Sequence, residues 1–180
     1  MAKKLITLLF VVLLIGVIFV HFVDFMLPVK YENEIENACM KYDVSEELVY
    51  AVIKTESNFD ENATSNKAAK GLMQLKDDTA GWCAQKMGWE TFSLDNVYDP
   101  ETNINLGVWY LSYLIEETGS QDLAIIAYNA GINRVNEWIS EGFVEREIDE
   151  DNEIPYPETK NYLKKVKYYK NLYTYRLGKK

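Results

Sequence analysis

A mainly α-helical domain behind one membrane-crossing helix is the fold class that three features of this chain predict. The first is an uncharged apolar run near the N-terminus, Leu5 to Val23. The second is a succession of segments whose apolar residues recur at spacings of three and four rather than two. The third is the punctuation between them, with Ser45, Asp99-Pro100 and Ser120 as helix starts and Gly88, Gly119 and Gly131 as stops. At 180 residues, 48% hydrophobic and 26% charged, the chain is long enough for one domain with a real core.

The N-terminal run follows Lys3 and Lys4, and as a helix it spans roughly 29 Å, about the thickness of a bilayer core. A cleaved signal peptide would have a shorter apolar region followed by small residues. Here the run ends His21-Phe22-Val23-Asp24-Phe25-Met26-Leu27-Pro28, which is bulky throughout. It therefore reads as an uncleaved anchor, residues 1–28, with the two lysines leaving the body of the protein, residues 29–180, on the outer side. The connection Pro28 to Tyr31 allows only about 15 Å of extended chain, so the folded part is expected close to the membrane.

Beyond the anchor, helix follows helix. Ile35, Ala38, Cys39 and Tyr42 form one apolar face, with Cys39 a core thiol. Ser45 is a favourable N-cap, Glu46 and Glu47 suit a first turn, and Val44 with Val49 fits a hydrophobic staple. This helix carries Val49, Val52 and Ile53 on one face and cannot run through Asn58-Phe59-Asp60, so Glu56 falls near its end. Residues 58–70 are polar and irregular, a loop with room for at most a small β-hairpin. Asp78 to Met87 reads as a helix carrying Cys83, and a bridge from Cys83 to Cys39 cannot be read from spacing. Asp99-Pro100 starts a helix running through Leu106, Tyr110, Leu111 and Leu114. Ser120 opens Gln121 to Ala130, apolar on every side and so expected at the centre of the domain. Ile132 to Ser140 adds another turn or two, with Val135 and Trp138 inward.

Two charge blocks close the chain. Glu141 to Glu153 holds seven acids and Arg146, the pattern of a solvated loop. Residues 159–180 hold eight bases and no acid, on a helix with Tyr162, Val166, Tyr169 and Tyr173 on one side. Both read as solvated surface, with contact between the basic helix and anionic lipid headgroups as the alternative. A net charge of −9 excludes a large basic surface and with it nucleic acid as a partner. His21 is the only histidine, so an ordinary zinc site is excluded as well, and there is no P-loop or GxGxxG pattern.

Glu56 is the residue that points to chemistry. At about 100° per residue it falls between Val52 and Val49, in the middle of an apolar stripe. A carboxylate there is poorly solvated or lines a cleft. Desolvation raises a Glu pKa, leaving a protonated acid available near neutral pH. A single Glu late in a helix can also simply face water.

The surrounding motifs decide between these. Glu56-Ser57-Asn58-Phe59, Ala63-Thr64-Ser65, Gly71-Leu72-Met73-Gln74-Leu75 and Thr79-Ala80 resemble the opening motifs of the soluble lytic transglycosylase family of peptidoglycan-cleaving enzymes. Asn103-Ile104-Asn105-Leu106-Gly107, Tyr110-Leu111, Ala127-Tyr128-Asn129-Ala130-Gly131 and Arg134-Val135 resemble its middle motifs, and Ile154 to Thr159 with Tyr162 its last. The resemblance covers about residues 35–170. It implies a goose-type, lysozyme-like helical domain with a long sugar-binding cleft. It assigns Glu56 as the acid/base, Ser65 near the cleaved muramic acid, and Gln74 with the Met73 backbone along the cleft floor. Tyr128, in the same motif as Asn129, is implied beside the catalytic Glu, and Glu158 behind the cleft. Ser65 as a turn residue, Tyr128 as a core aromatic, Gln74 as a polar group before a helix and Glu158 as a first-turn acid are the purely structural alternatives.

What the resemblance implies is cleavage of the MurNAc-β-1,4-GlcNAc bond in peptidoglycan glycan strands, without metal or organic cofactor. A 2-acetamido sugar supplies its own carbonyl oxygen to C1, so one Glu can suffice where ordinary glycosidases need two carboxylates. The 6-hydroxyl of the muramic acid then acts as nucleophile and leaves a 1,6-anhydro end. A hydrolytic muramidase on the same scaffold and a catalytically idle wall-binding scaffold protein are the alternatives, and any cell-envelope machinery served is left open. Two departures from the family pattern stand out: Lys76-Asp77 where Met-Pro is usual, and Ala68 where Gly is favoured. Asp77 and Asp78 raise the possibility of a second acid, though a helix N-cap explains them as well.

Overall fold

The computed structural model describes residues 2–145 and 154–178. Most of the acidic block, residues 146–153 with Arg146, lies outside the described residues. The chain forms two compact units, Met1–Lys30 and Tyr31–Lys180.

The first unit is one helix, α1 (Ala2–Met26). Its stretch Leu9–Met26 is long and apolar enough to cross a membrane, and none of it is buried by protein. Large side chains such as Phe10, Leu13 and Phe19 stand exposed along it, an arrangement that water would penalise and lipid would not.

The second unit is built from α2 (Glu32–Tyr42), α3 (Glu46–Glu56), α4 (Asp77–Lys86), α5 (Pro100–Thr118), α6 (Gln121–Ala130), α7 (Ile132–Ser140) and α8 (Pro157–Leu177). A 3-10 turn, Leu94–Tyr98, carries no signal in the periodicity and leads into α5. Asp99 caps α5 by accepting from the Thr102 amide at 2.9 Å, and Ser120 caps α6 through the Leu123 amide. Ser45 occupies the N-cap position of α3 with its side chain uninvolved in capping; its carbonyl takes the Leu48 and Val49 amides instead. At α4 the N-cap is Lys76, so Asp77 and Asp78 sit in the first turn rather than capping it.

Leu123 to Ala127 are all buried, as expected for a central α6. The surprise is α3. Leu48, Val49, Tyr50, Ala51, Val52 and Ile53 are all buried, so α3 is enclosed on every side rather than along one stripe. Its extra cover is α8, which packs more extensively on α3 than any other pair of helices in the domain. Rings mark the seam, with Tyr50 5.1 Å from Tyr173. Toward solvent, α8 spends part of its charge on neighbours: Lys167 pairs with Asp122 at 2.6 Å, and Lys170 bonds Gln121.

No strand forms among the described residues. The long loop between α3 and α4 is pinned by two isolated antiparallel bridges, Thr64 with Lys70 and Lys70 with Leu75. Cys39 and Cys83 are separate buried thiols, each pushed up to about 12 by burial.

Candidate active site

Helix α3 delivers Glu56 as its last residue and then stops abruptly. Asn58 and Phe59 both take left-handed backbone, φ 54° and 63°, which no helix can continue. Four of the six described non-glycine residues at positive φ, those two with Ala68 and Gln74, lie in the loop that follows Glu56. Such backbone persists only where surrounding contacts hold it, and here they are specific. Ser57 Oγ donates to the Leu72 carbonyl at 2.8 Å. Asn103, completely buried in α5, accepts from the Met73 amide at 2.7 Å and donates to the carbonyls of Lys70 (3.1 Å) and Val97 (2.8 Å). Two glycines permit this close approach: a Cβ on Gly71 would strike the Asn103 side chain, and one on Gly107 would strike Met73.

The loop and helices α3, α4, α5, α6 and α8 line a cleft of about 490 Å³. Glu56, Ser65, Gln74, Tyr128, Asn129 and Glu158 all line it, together with Lys67, Lys76 and Tyr110. Met73 does not. It is fully buried, its amide held by Asn103 and its carbonyl by the Tyr128 hydroxyl at 2.8 Å, so it supports the cleft from below.

At the base of the cleft, Glu56 is half-buried, and burial raises its carboxyl from the ordinary 4.5 to about 7. One hydrogen bond opposes that rise: the Tyr162 hydroxyl of α8 donates to Glu56 Oε1 at 2.6 Å. The tyrosine expected beside Glu56 is Tyr128, which lines the same cleft but spends its proton on the Met73 carbonyl; the hydroxyl in hydrogen-bond contact with Glu56 is that of Tyr162. Both phenols are raised well above their ordinary range, by burial first and by the Glu56 charge second, and so remain donors. Tyr162, Asn103, Ser57 and Gly107 all lie inside motifs legible in the sequence, but their tasks are contacts across the fold.

The remaining cleft residues divide between support and rim. Ser65 Oγ accepts from the amides of Lys67 (3.2 Å) and Ala69 (3.0 Å), a turn role that leaves its hydroxyl proton free to point elsewhere. Gln74 donates to the carbonyls of Ala63 and Gly71. Asn129 accepts from the Thr159 hydroxyl at 2.9 Å, tying α6 to the start of α8. Glu158 stands at the exposed rim, 3.4 Å from Lys67 Nζ. Asp77 is bound to Lys70 at 2.7 Å and is not among the cleft residues, which removes it as a second acid. No group of acids, cysteines or histidine suited to a metal ion occurs among the described residues.

Residues 33–149 match the family described as the transglycosylase SLT domain. The chain is 31% identical over 157 residues to the soluble lytic murein transglycosylase of Escherichia coli, covering 85% of this chain and 24% of that protein. It is 39% identical over 116 residues to the membrane-bound lytic murein transglycosylase C of Edwardsiella ictaluri, covering 59% and 32%. Among solved structures, the 70 kDa soluble lytic transglycosylase of Escherichia coli superposes with a TM-score of 0.77 at 30% identity, over 84% of this chain and 25% of that one. An inactive variant of the lytic transglycosylase Slt from Pseudomonas aeruginosa gives 0.75 at 28%, over 87% and 26%. The chain thus spans about a quarter to a third of the length of these relatives. It belongs to the transglycosylase SLT domain family.

Proposed function

We propose that this chain is a membrane-anchored lytic transglycosylase that cleaves the MurNAc-β-1,4-GlcNAc bond of peptidoglycan. The observation that carries the reading is Glu56, an acid at the base of a sugar-sized cleft with a pKa of about 7. Near neutral pH a large share of Glu56 holds a proton, which it donates to the glycosidic oxygen as the bond breaks. The Tyr162 hydroxyl occupies Oε1, which leaves Oε2 to carry that proton toward the substrate. The acetamido carbonyl of the muramic acid stabilises the positive charge at C1. The 6-hydroxyl then attacks C1, its proton passes to the Glu56 carboxylate, and a 1,6-anhydro end results. Tyr162 stabilises the carboxylate form in which Glu56 must accept this second proton.

Ser65, Gln74 and Asn129 offer polar groups to the strand, and Glu158 with Lys67 bounds its open side. Tyr128 and Met73 act by fixing the cleft floor. Helix α1 is proposed as a single-pass anchor with the domain on the extracytoplasmic side, supported by its apolar length and by Lys3 and Lys4 before it.

Mass spectrometry of peptidoglycan digested by the full chain tests the reaction. Anhydro ends are expected; reducing ends would make the protein a hydrolytic muramidase, and absence of products would make it a wall-binding scaffold. The anchor is tested by fractionating cells that express the full chain with a C-terminal tag. A membrane-bound species of full mass is expected, and a soluble product starting near residue 28 would refute the anchor alone.

A further inference from the structure

Helix α8 carries one face that neither the packing of the domain nor the reaction uses. Its buried side, with Tyr162, Val166 and Tyr173, packs on α3. At about 100° per residue, Lys164, Lys165, Tyr168, Asn171 and Tyr175 gather within roughly a third of the circumference, away from that core. All five are exposed, Tyr168 at 60% and Tyr175 at 73%. Lys167 and Lys170 have partners in Asp122 and Gln121, whereas no ion pair or hydrogen bond engages Lys164 or Lys165 among the described residues.

The charge of this face stands apart from the rest of the chain. Net charge is −9, yet residues 159–180 hold eight bases and no acid. Lysines interleaved with exposed tyrosines suit a bilayer surface, where ammonium groups meet anionic headgroups and phenol rings lie at headgroup level. The way the chain enters the domain brings such a surface within reach. The connection from Pro28 to Tyr31 extends about 15 Å at most. Glu32, the first residue of α2, is close enough for its charge to act on the Tyr50 phenol, second only to burial. The Tyr50 ring in turn lies 5.1 Å from that of Tyr173. The entry to the domain therefore lies beside the last turns of α8, where Tyr175 stands. Glu32 and Glu34 are acids that an anionic surface repels, so attraction has to come from the outer face of α8 and not from the start of α2.

We propose that Lys164, Lys165, Tyr168 and Tyr175 rest on anionic lipid headgroups of the bilayer that holds α1, giving the domain a second point of attachment. The proposal rests on α1 as an anchor and not on the reaction assigned to Glu56. It fastens to the membrane the same helix that supplies the Tyr162 hydroxyl to Glu56.

The test reconstitutes the full chain through α1, one copy per lipid disc, in phosphatidylcholine with or without phosphatidylglycerol. A dye on Asn171→Cys reads contact through quenching by lipids with a nitroxide at the headgroup, Cys39 and Cys83 being buried. A second dye, on the exposed Thr91→Cys, reports attraction that has no direction. Phosphatidylglycerol is expected to raise quenching at residue 171 and not at residue 91, and high salt to abolish the gain. Each lysine near an anionic surface favours contact roughly fivefold, so Lys164→Gln with Lys165→Gln should weaken it roughly thirtyfold. Equal quenching with both lipids, an equal gain at residue 91, or a gain that survives both salt and the lysine changes overturns the contact. The salt dependence decides even if the double variant unfolds. A dye response to soluble poly(glycerol phosphate) in neutral discs, with none to phosphatidylglycerol, overturns it in favour of an anionic wall polymer. A gain seen only with two copies per disc overturns it in favour of self-association. Failure of the chain to enter discs sinks the anchor and the contact together; entry without the lipid effect sinks the contact alone.

Discussion

Replacing Glu56 by Gln should make the protein more stable and inactive at once, with the stability gain visible only above acid pH. In the folded protein the carboxyl is raised from 4.5 to about 7 because burial penalises its charge. Below about pH 4.5 the group is neutral folded or unfolded, and the raised affinity for its proton is fully expressed as stability. Between 4.5 and 7 the unfolded chain gives up the proton while the folded chain retains it, and that contribution is progressively lost as pH rises. Above 7 the loss is complete. At about 1.4 kcal/mol for each factor of ten in proton affinity, it reaches about 3 kcal/mol. Gln has the same shape, can accept the Tyr162 hydrogen bond, and never ionises.

The measurement is urea unfolding of both chains in detergent, followed by tryptophan emission from pH 4 to 8.5. Groups that titrate identically in both chains cancel in the difference. That difference should be flat at the acid end, rise by about 3 kcal/mol in favour of the Glu56→Gln variant across pH 4.5 to 7, and level off. Wall cleavage should fall by roughly 10²–10⁴ in the same variant, since the amide cannot deliver a proton. A flat difference throughout would mean that Glu56 is as well solvated as a surface acid, and the physical case for its role would collapse. A clear rise with undiminished cleavage would leave the acid buried but assign the chemistry to another group.

Three other substitutions probe the supports. Tyr162→Phe removes the bond that favours the Glu56 carboxylate, so the alkaline limb of the kcat/KM profile should move upward by up to about one pH unit, with a lower maximum; an unmoved limb would contradict the contact. Asn103→Ala strands the Met73 amide and the Val97 carbonyl in the interior and takes from the Lys70 carbonyl one of its two donors, the Leu75 amide remaining, and urea unfolding should show a loss of about 2–4 kcal/mol together with reduced cleavage. Ala68 holds φ 58°, where a Cβ is unfavourable, so Ala68→Gly should raise stability by about 1 kcal/mol, read as a higher melting temperature with activity retained.

The helices were legible because their punctuation is local. Asp99-Pro100, Ser120, Gly119 and Gly131 each sit where a cap, a first turn or a stop requires them. Glu56 was legible for a related reason, as a charge placed by helical spacing among apolar residues, within motifs that resemble a known family. What periodicity could not supply was contact between distant segments. Nothing in the spacing of α8 distinguishes Tyr162 from Tyr169 or Tyr173, yet only the first reaches across 106 residues to the Glu56 carboxylate. The same limit applies to Tyr128, whose hydroxyl is drawn to the Met73 carbonyl because Asn103 and Gly107 fix that backbone beneath it. The enclosure of α3 also depended on a partner more than 100 residues away. The departure at Ala68 was visible as a missing glycine, and the left-handed backbone found there explains why glycine is the easier residue.

Helix α8 begins after the stretch that matches the family, residues 33–149, and yet the candidate acid depends on it. It buries Thr159, Tyr162, Leu163, Val166 and Tyr173, and its main support is α3. Four of those five are large apolar or aromatic side chains, worth about 1.5–3 kcal/mol each when fully buried, so their sum is comparable to the 5–15 kcal/mol net stability of a typical domain. The same contact desolvates Glu56, supplies the Tyr162 hydroxyl, and sets Glu158 at the cleft rim beside Lys67. Covering the core and raising the acid's pKa are therefore one packing event. A helix that merely sealed α3 with apolar residues would leave Glu56 with no donor to stabilise its ionised form. A helix that left α3 open would let water restore an ordinary carboxylate, and the proton needed at neutral pH would be gone.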